Sequence, residues 1–239
     1  MSTLLISDLH LTEERPAANE RFIELLEDKA RGAEALYILG DFFEYWIGDD
    51  DLDEPFNAVM AGLLRRLAAD GVALYYMHGN RDFLVGERFC AATGAQLLPD
   101  PSVHEIQGVR TLLEHGDTLC TDDADYQNWR RVARSRDWQR EFLAKPRAER
   151  RNLILGLREK SKAVIQAKPA EIMDVNDAAV ARDMLAHGVT RLVHGHTHRP
   201  GRHALALDGR PGERWVLPDW YEGGGYLEVG PAGPRLVRF

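Results

Sequence analysis

The run "LVHGHTHRPG" spans residues 192–201 and places three histidines, His194, His196 and His198, within five residues of one another. The residues before it, "VTRLV" (189–193), read as a strand. On an extended chain alternate side chains share a face, so two histidines spaced i, i+2 would point into one site. Such a pair also occurs in ordinary loops. Its meaning therefore turns on whether the rest of the chain supplies partner ligands.

Five strand-like runs each lead into groups able to ligate a metal. "TLLIS" (3–7) is followed by "DLH" with Asp8 and His10; "ALYIL" (35–39) by "GDFFE" with Asp41; "VALYYM" (72–77) by "HGNRD" with Asn80; "RTLLE" (110–114) by "HGD" with His115; and "RLV" (191–193) by "HGHTH". Ligands of α/β proteins gather at the carboxyl ends of strands, and glycines beside the polar residues permit tight turns there. Singly, Asp8 could cap a turn, Asp41 could open a loop and His115 could be a satisfied polar residue. Together, at one edge of a sheet, the clusters predict a two-metal centre.

Between the strands, "NERFIELLEDKA" (19–30) and "PFNAVMAGLLRRLAAD" (55–70) carry apolar residues at helical spacing. The alternation predicts a layered α/β fold. The tail "RWVLPDWYEGGGYLEVGPAGPRLVRF" (214–239) reads as short strands broken by Gly and Pro turns. Residues 129–168 differ, holding 13 Lys or Arg against 4 Asp or Glu, in a chain whose net charge is -8. Leu153, Leu157 and Val164 recur there at near-helical spacing. The segment reads as a helical insertion (126–172) in a core formed by 1–125 and 173–239; a merely solvated charged face is the plainer alternative.

The 239-residue chain is 44% hydrophobic and 28% charged, enough for a sizeable core. Its acidic balance argues against a general nucleic-acid binder. Cys90 and Cys120 form no CxxC pair, which suits a reduced, cytoplasmic compartment. No basic leader precedes the first strand and no run of about 18 apolar residues is present, so neither a signal peptide nor a membrane span is expected.

The five blocks match, in order, those of the calcineurin-like metallophosphoesterases, over nearly the whole chain except the insertion. The longer motifs "SDLHL", "GDFFEYWIGDD", "HGNRDFL", "HGDTLCTDD", "EIMDVN" and "HGHTHRP" resemble the branch that hydrolyses acylated UDP-sugars in lipid A biosynthesis. The resemblance implies an α/β/β/α sandwich with a helical lid. It implies one metal on Asp8, His10, Asp41 and His198, and a second on Asp41, Asn80, His115 and His196, with Asp41 bridging. A donor set of nitrogen and oxygen without thiolate suits Mn, Fe or Zn, and its oxygens lean toward Mn. His194 is left over, as a supporting or packed residue. Catalytic roles fall to Asp41, Asn80 and His196; substrate contacts fall to Asn80, Arg81, Asp123, Ser161, Lys168 and His196, and to Ile165, where a polar residue is usual.

The resemblance further implies that water attacks the uridine-side phosphorus of UDP-2,3-diacylglucosamine, giving UMP and 2,3-diacylglucosamine 1-phosphate. Arg81 stands where many members of the wider superfamily carry a histidine acid, and it cannot donate a proton at neutral pH. An alkoxide leaves poorly without an acid, whereas a phosphate monoester, with its second pKa near about 6, is a good leaving group. Arg81 can instead grip a second phosphate as a rigid fork. The block therefore favours pyrophosphates over phosphate monoesters. A soluble nucleotide-sugar pyrophosphatase or another phosphodiesterase is the main alternative, and a metal-bound scaffold without catalysis a weaker one. The insertion, with Leu153, Leu157, Val164 and Ile165 beside its basic residues, is expected to cover the metals and touch the cytoplasmic leaflet of the inner membrane. Arg130, Arg131, Arg134, Arg147, Arg150 and Arg151 are its expected charge contacts. The chain is expected to act as a monomer.

Overall fold

The computed structural model describes residues 1–167 and 170–239, and for 160, 162–167, 170 and 171 the backbone alone. β1 (Thr3–Ile6), β2 (Ala35–Ile38), β3 (Ala73–Met77) and β4 (Gln96–Leu98) run parallel. Helices α1 (Pro16–Asp28), α2 (Pro55–Ala69) and α3 (Glu87–Thr93) connect them. A hairpin follows, of β5 (Ser102–Ile106) and β6 (Val109–Leu113). Then come α4 (Ala124–Ala133), α5 (Arg136–Leu143), α6 (Arg147–Ala167) and α7 (Asp177–Ala186). The chain ends in β7 (Arg191–His194), β8 (Gly201–Leu207), β9 (Arg210–Val216), β10 (Gly225–Gly230) and β11 (Gly233–Arg238).

These strands form two sheets, ordered β11-β10-β1-β2-β3-β4 and β5-β6-β7-β9-β8. Strand alternation explains why they stack. Leu5, Tyr37 and Met77 of the first sheet meet Leu113, Val193 and Trp215 of the second in one apolar layer. On the opposite face of the first sheet, Leu4, Ile6, Leu36, Ile38 and Tyr76 pack against Phe22 and Leu25 of α1 and Leu64 and Leu67 of α2. Leu112 and Leu192 turn outward onto Val180 and Met184 of α7. Both sheets are thus apolar on two faces and covered by helices, an α/β/β/α sandwich. The expectation of a single sheet edge is corrected: the ligand-bearing loops divide between two sheets. Asp8, Asp41 and Asn80 follow β1, β2 and β3, whereas His115, His196 and His198 follow β6 and β7.

The basic segment is helical, as expected, but several of its arginines face inward. Arg150 is only 3% exposed and pairs through both terminal nitrogens with Asp50 while donating to the Ile47 carbonyl. Arg151 reaches Asp51 at 3.0 Å and Glu54 at 3.1 Å; Arg147 reaches Glu54 at 2.7 Å. Arg130 donates to Asp117 at 2.8 Å and Arg134 to the Gly79 carbonyl at 2.9 Å. Of the six arginines expected to meet a membrane, five are held by the core; Arg131 bonds Asn128 at 3.2 Å. A basic segment in an acidic chain serves here to dock one part on the other.

The expected apolar face holds at the half-buried Leu157 but not at Leu153. Ile154 packs into the core with Trp138 and Phe142, while Leu153 is 42% exposed. Lys168 lies outside the described residues, as do the side chains of Val164 and Ile165. Among the described residues no helix is long and apolar enough to cross a membrane, and both cysteines are free.

Replacing Arg150 by Ala removes several charge-assisted hydrogen bonds. Each is worth about 1.5–3 kcal/mol where the remaining partner stays buried. Asp50 can rehydrate but the Ile47 carbonyl cannot, so a loss near ~2 kcal/mol is expected. The urea midpoint of unfolding measures it, and an unchanged midpoint would show that this pair does not dock the insertion.

Candidate metal centre

The loops after β1, β2 and β3 are stitched together by backbone hydrogen bonds. Asp8 N–H donates to the Gly40 carbonyl at 3.1 Å and His10 N–H to the Asp41 carbonyl at 2.9 Å. Gly195 N–H donates to the His115 carbonyl at 2.9 Å, joining the two loops of the second sheet. Glycine is required where these loops touch. A Cβ on Gly79 would strike the Asp41 carboxylate, and one on Gly195 would strike Asp8 and Ser7.

Among the described residues seven non-glycine positions have positive φ, and five are predicted ligands: Asp8 (55°), His10 (50°), Asp41 (52°), His196 (66°) and His198 (54°). Such left-handed backbone costs roughly 1–3 kcal/mol per residue and persists where surroundings enforce it, commonly at functional sites. It also corrects the strand argument for the histidines. β7 ends at His194, and His196 and His198 are aimed by left-handed turns rather than by strand alternation.

The ligand atoms of Asp8, His10 and His198 lie within 4.8 Å of one another, as do those of Asp8, Asp41 and His115. Asp41 divides its oxygens: Oδ2 is 3.8 Å from His10 Nε2 and Oδ1 is 3.8 Å from His115 Nε2. Asp8 Oδ2 accepts from Ser7 Oγ at 2.6 Å and from His196 N–H at 2.8 Å. Its Oδ1 has no hydrogen-bond partner and faces His198 Nε2 at 3.5 Å. Both ring nitrogens of the buried His10 lack hydrogen-bond partners. His115 Nδ1–H donates to the Leu39 carbonyl at 2.9 Å, which leaves Nε2 facing Asn80 Oδ1 at 3.0 Å. Asp8 Oδ1 and the two nitrogens of His10, buried and without hydrogen-bond partners, converge on one place with the other candidate donors, and the residues present fit divalent metal ions.

The electrostatics agree. Burial alone would lower the pKa of His115, but the carboxylates of Asp41, Asp117 and Asp8 outweigh it and raise the ring to about 9. Burial would raise Asp8, yet the adjacent ring of His198, with His115 and His10, holds it well below the usual carboxylate range. Asp41 is pushed up, by burial first and then by Asp82 and Asp8 against His115 and His10. Burial and the neighbouring His115 lower His196 to about 4, so its ring is neutral at pH 7.

His196 stands beside His115, with ring centroids 5.1 Å apart, although its nitrogens join neither convergent set. His194 is a fully buried packing residue: its Nδ1–H donates to the Gly195 carbonyl at 2.8 Å, and its Nε2 accepts from Arg214 at 3.2 Å. Arg81 N–H donates to Asp41 Oδ1 at 2.8 Å. Asp123 accepts from Tyr126 N–H at 3.1 Å as the N-cap of α4. Ser161 is exposed on α6, and Arg158 of the same helix pairs with Glu44 near His10.

Three supporting carboxylates were not assigned from sequence, although each lies inside a quoted block. Buried Asp82 accepts from Tyr76 OH at 2.5 Å, Gly79 N–H at 2.8 Å, Phe42 N–H at 2.8 Å and Asp41 N–H at 3.2 Å. It thereby fixes the Asp41 loop to the Asn80 loop. Glu44 faces His10 Nδ1 at 3.4 Å, so His10 Nε2 is the nitrogen left toward Asp41. Asp117 accepts from Tyr126 OH at 2.6 Å and from Arg130, anchoring α4 beside His115. Their signal was position alone, three residues after a ligand for Glu44 and two for Asp82 and Asp117.

A sequence model of the calcineurin-like phosphoesterase family matches residues 1–200. The chain is 49% identical over 240 residues to the UDP-2,3-diacylglucosamine hydrolase of Aromatoleum aromaticum, covering 100% of this chain and 98% of that one. It is 50% identical over 238 residues to the protein of the same name from Pseudomonas putida, covering 99% and 98%. Among solved structures, a dimetal phosphatase from Danio rerio superposes with a TM-score of 0.51 at 12% identity, covering 99% of this chain and 98% of that one. At that identity the likeness concerns the fold alone.

Two outcomes follow from this geometry. Without metal, His115 is protonated below about pH 9, so a metal that takes its lone pair must expel that proton. Apparent affinity should rise with pH toward about 9, and calorimetry at pH 7.5 in buffers of different ionisation enthalpy should register about one proton released per chain. No release would contradict His115 as a ligand. Asp82→Ala should weaken metal binding about 10–100-fold, the usual effect of losing a group that orients ligands; unchanged metal affinity would show that Asp82 does not position the Asp41 loop.

Proposed function

The chain belongs to the calcineurin-like phosphoesterase family, and from that premise we propose that it hydrolyses the pyrophosphate of UDP-2,3-diacylglucosamine. The products are UMP and 2,3-diacylglucosamine 1-phosphate, a step of lipid A biosynthesis. The observation that carries this reading is the 49% identity to a curated hydrolase of that substrate across the whole of both chains, insertion included.

Asp8, His10, Asp41 and His198 would hold one divalent cation, and Asp41, Asn80, His115 and His196 the other. We favour Mn for its match to mixed carboxylate, amide and imidazole donors. Bound, such a pair supplies Lewis acidity that lowers the pKa of water and neutralises charge on a phosphoryl group. The protein's own residues do the rest. Asp41, buried and held by the Arg81 N–H, keeps the two halves of the site in register. Arg81 binds the phosphate that departs with the sugar. His196, neutral at pH 7 because burial and the nearby His115 lower it to about 4, cannot act as a general acid; its place is beside the transferring phosphoryl group. None is needed, since a sugar 1-phosphate leaves without protonation.

The core is residues 1–125 and 173–239, and 126–172 form the lid. Its exposed Trp129, Val132, Leu143, Leu153 and Leu155, rather than its paired arginines, are the surface we assign to acyl chains and the cytoplasmic leaflet. Asp123, Ser161, Ile165 and Lys168 are assigned to the sugar head group. The chain acts as a cytoplasmic monomer peripherally bound to the inner membrane.

A mass-spectrometric assay tests the substrate. UMP and the diacylated 1-phosphate should form from the acylated UDP-sugar, with little turnover of a deacylated one. Equal turnover of both would favour a soluble nucleotide-sugar pyrophosphatase. In oxygen-18 water the label should enter UMP; label in the lipid phosphate alone would place attack on the other phosphorus. Changing Val132, Leu143, Leu153 and Leu155 together to Gln should weaken binding to anionic vesicles by about tenfold or more, while a parallel Arg147→Gln variant should not. The reverse ranking would return the membrane contact to the arginines.

A further inference from the structure

A second feature adjoins the candidate metal centre at His198. A cavity of about 430 Å³ is lined by His198, Pro218, Asp219, Tyr221, Glu222 and Phe239. That volume falls within the ~300–1,000 Å³ usual for small-molecule sites. One wall is a predicted metal ligand: His198 faces Asp8 Oδ1 at 3.5 Å through Nε2. Tyr221 stacks on His10, with centroids 4.8 Å apart and planes at 24°. Its hydroxyl donates to Glu44 at 3.3 Å, and Glu44 also takes Arg158 of the insertion. Tyr221 therefore stands between the space covered by α6 and this cavity.

A pyrophosphate seated on the metals carries two unlike arms. The insertion offers apolar surface for one of them. The cavity has the wrong chemistry for a lipid and the right one for a neutral polar group. Asp219 Oδ2 accepts from Tyr221 N–H at 3.1 Å, which leaves its other oxygen as an acceptor. Glu222 is an exposed carboxylate, and Arg238 is bonded to the Pro200 carbonyl at 2.6 Å. An acyl chain would strip water from these carboxylates and return no hydrogen bond. A further phosphate would meet like charge. Hydroxyl groups and an imide N–H are donors and suit them, as acidic side chains suit ribose hydroxyls in dinucleotide sites. Phe239 is 50% exposed and packs at 78° against Trp220, 5.3 Å between centroids. Gly224, at φ +138°, keeps this packing possible, because a Cβ there would meet the Phe239 ring at 3.0 Å. The ring thus lines the cavity as a flat apolar surface on which a base can lie.

We propose that this cavity is the nucleoside subsite, in which Asp219 accepts from the ribose hydroxyls and Phe239 supports the pyrimidine. The assignment rests on the reading of the substrate as a UDP-sugar. It explains how one site seats a lipid and a nucleotide without mixing them: Tyr221 separates the two arms, and the metals lie at their junction.

The test compares UMP with inorganic phosphate as ligands of the metal-loaded, full-length protein, by calorimetry. Both probes share the phosphate, so the ratio of their affinities isolates the nucleoside. The wild type should bind UMP about tenfold or more tighter than phosphate. Asp219→Asn retains the turn to Tyr221 but loses a carboxylate acceptor, and Phe239→Ala removes the ring; each should erase most of that margin and leave phosphate binding intact. A margin that survives in both variants, or its absence in the wild type, would overturn the proposal. Loss of phosphate binding together with UMP in both variants would place these residues in support of the metals and also overturn it. The substrate reading fails separately, if the wild type releases no UMP from the acylated UDP-sugar.

Discussion

The structure depends on negative charge and lone pairs gathered where two sheets end. Asp8 and Asp41 are buried to within 2% exposure, and Asp8 Oδ1 and both nitrogens of His10 have no hydrogen-bond partner. In a cation-free protein this concentration is unfavourable, as the rise of His115 to about 9 against its own burial records. Five ligand-bearing residues are also held in left-handed backbone. A sequence accepts such costs when binding repays them, and metal binding to a site absent from the unfolded chain is also folding free energy. The interleaved glycines, the Asp82 clamp and the cross-loop hydrogen bonds serve one end: they hold donors from two sheets at a common point.

Charge of the opposite sign organises the rest. The insertion turns six of its arginines toward the acidic core, and of these Arg150, Arg151 and Arg147 engage the Asp50–Glu54 run. Arg130, Arg134 and Arg158 continue this seam to Asp117, the Gly79 carbonyl and Glu44, each near a candidate metal ligand. The insertion and the metal centre are therefore linked through the residues that orient the ligands.

Much of this was legible in the chain. The five strands that precede ligands were placed within one residue of their observed limits, because short apolar runs ending in Gly and polar residues leave little choice. The seven donors were legible as types at strand ends, and the structure brings their loops together. Other features were not legible. The polar residues of "SVHEI" (102–106) mask a strand that pairs in a hairpin, and α3 is too short for a helical period to show. Strand alternation was the wrong reason for the alignment of His196 and His198, since their positive φ values break it. Leu153 and Ile154 differ by one residue, enough to exchange core for solvent on a helix. The inward direction of the arginines could not follow from composition, because pairing depends on a distant acidic run that the fold brings near.

The central claim is that these loops hold two ions bridged by Asp41, and electron paramagnetic resonance of the Mn(II)-loaded protein tests it most directly. Titration should reach two ions per chain. Its end point should show the exchange-coupled spectrum of a pair about 3.5–4 Å apart, which collapses to isolated ions in Asp41→Ala. A single uncoupled ion at saturation, or coupling that survives removal of Asp41, would contradict the account.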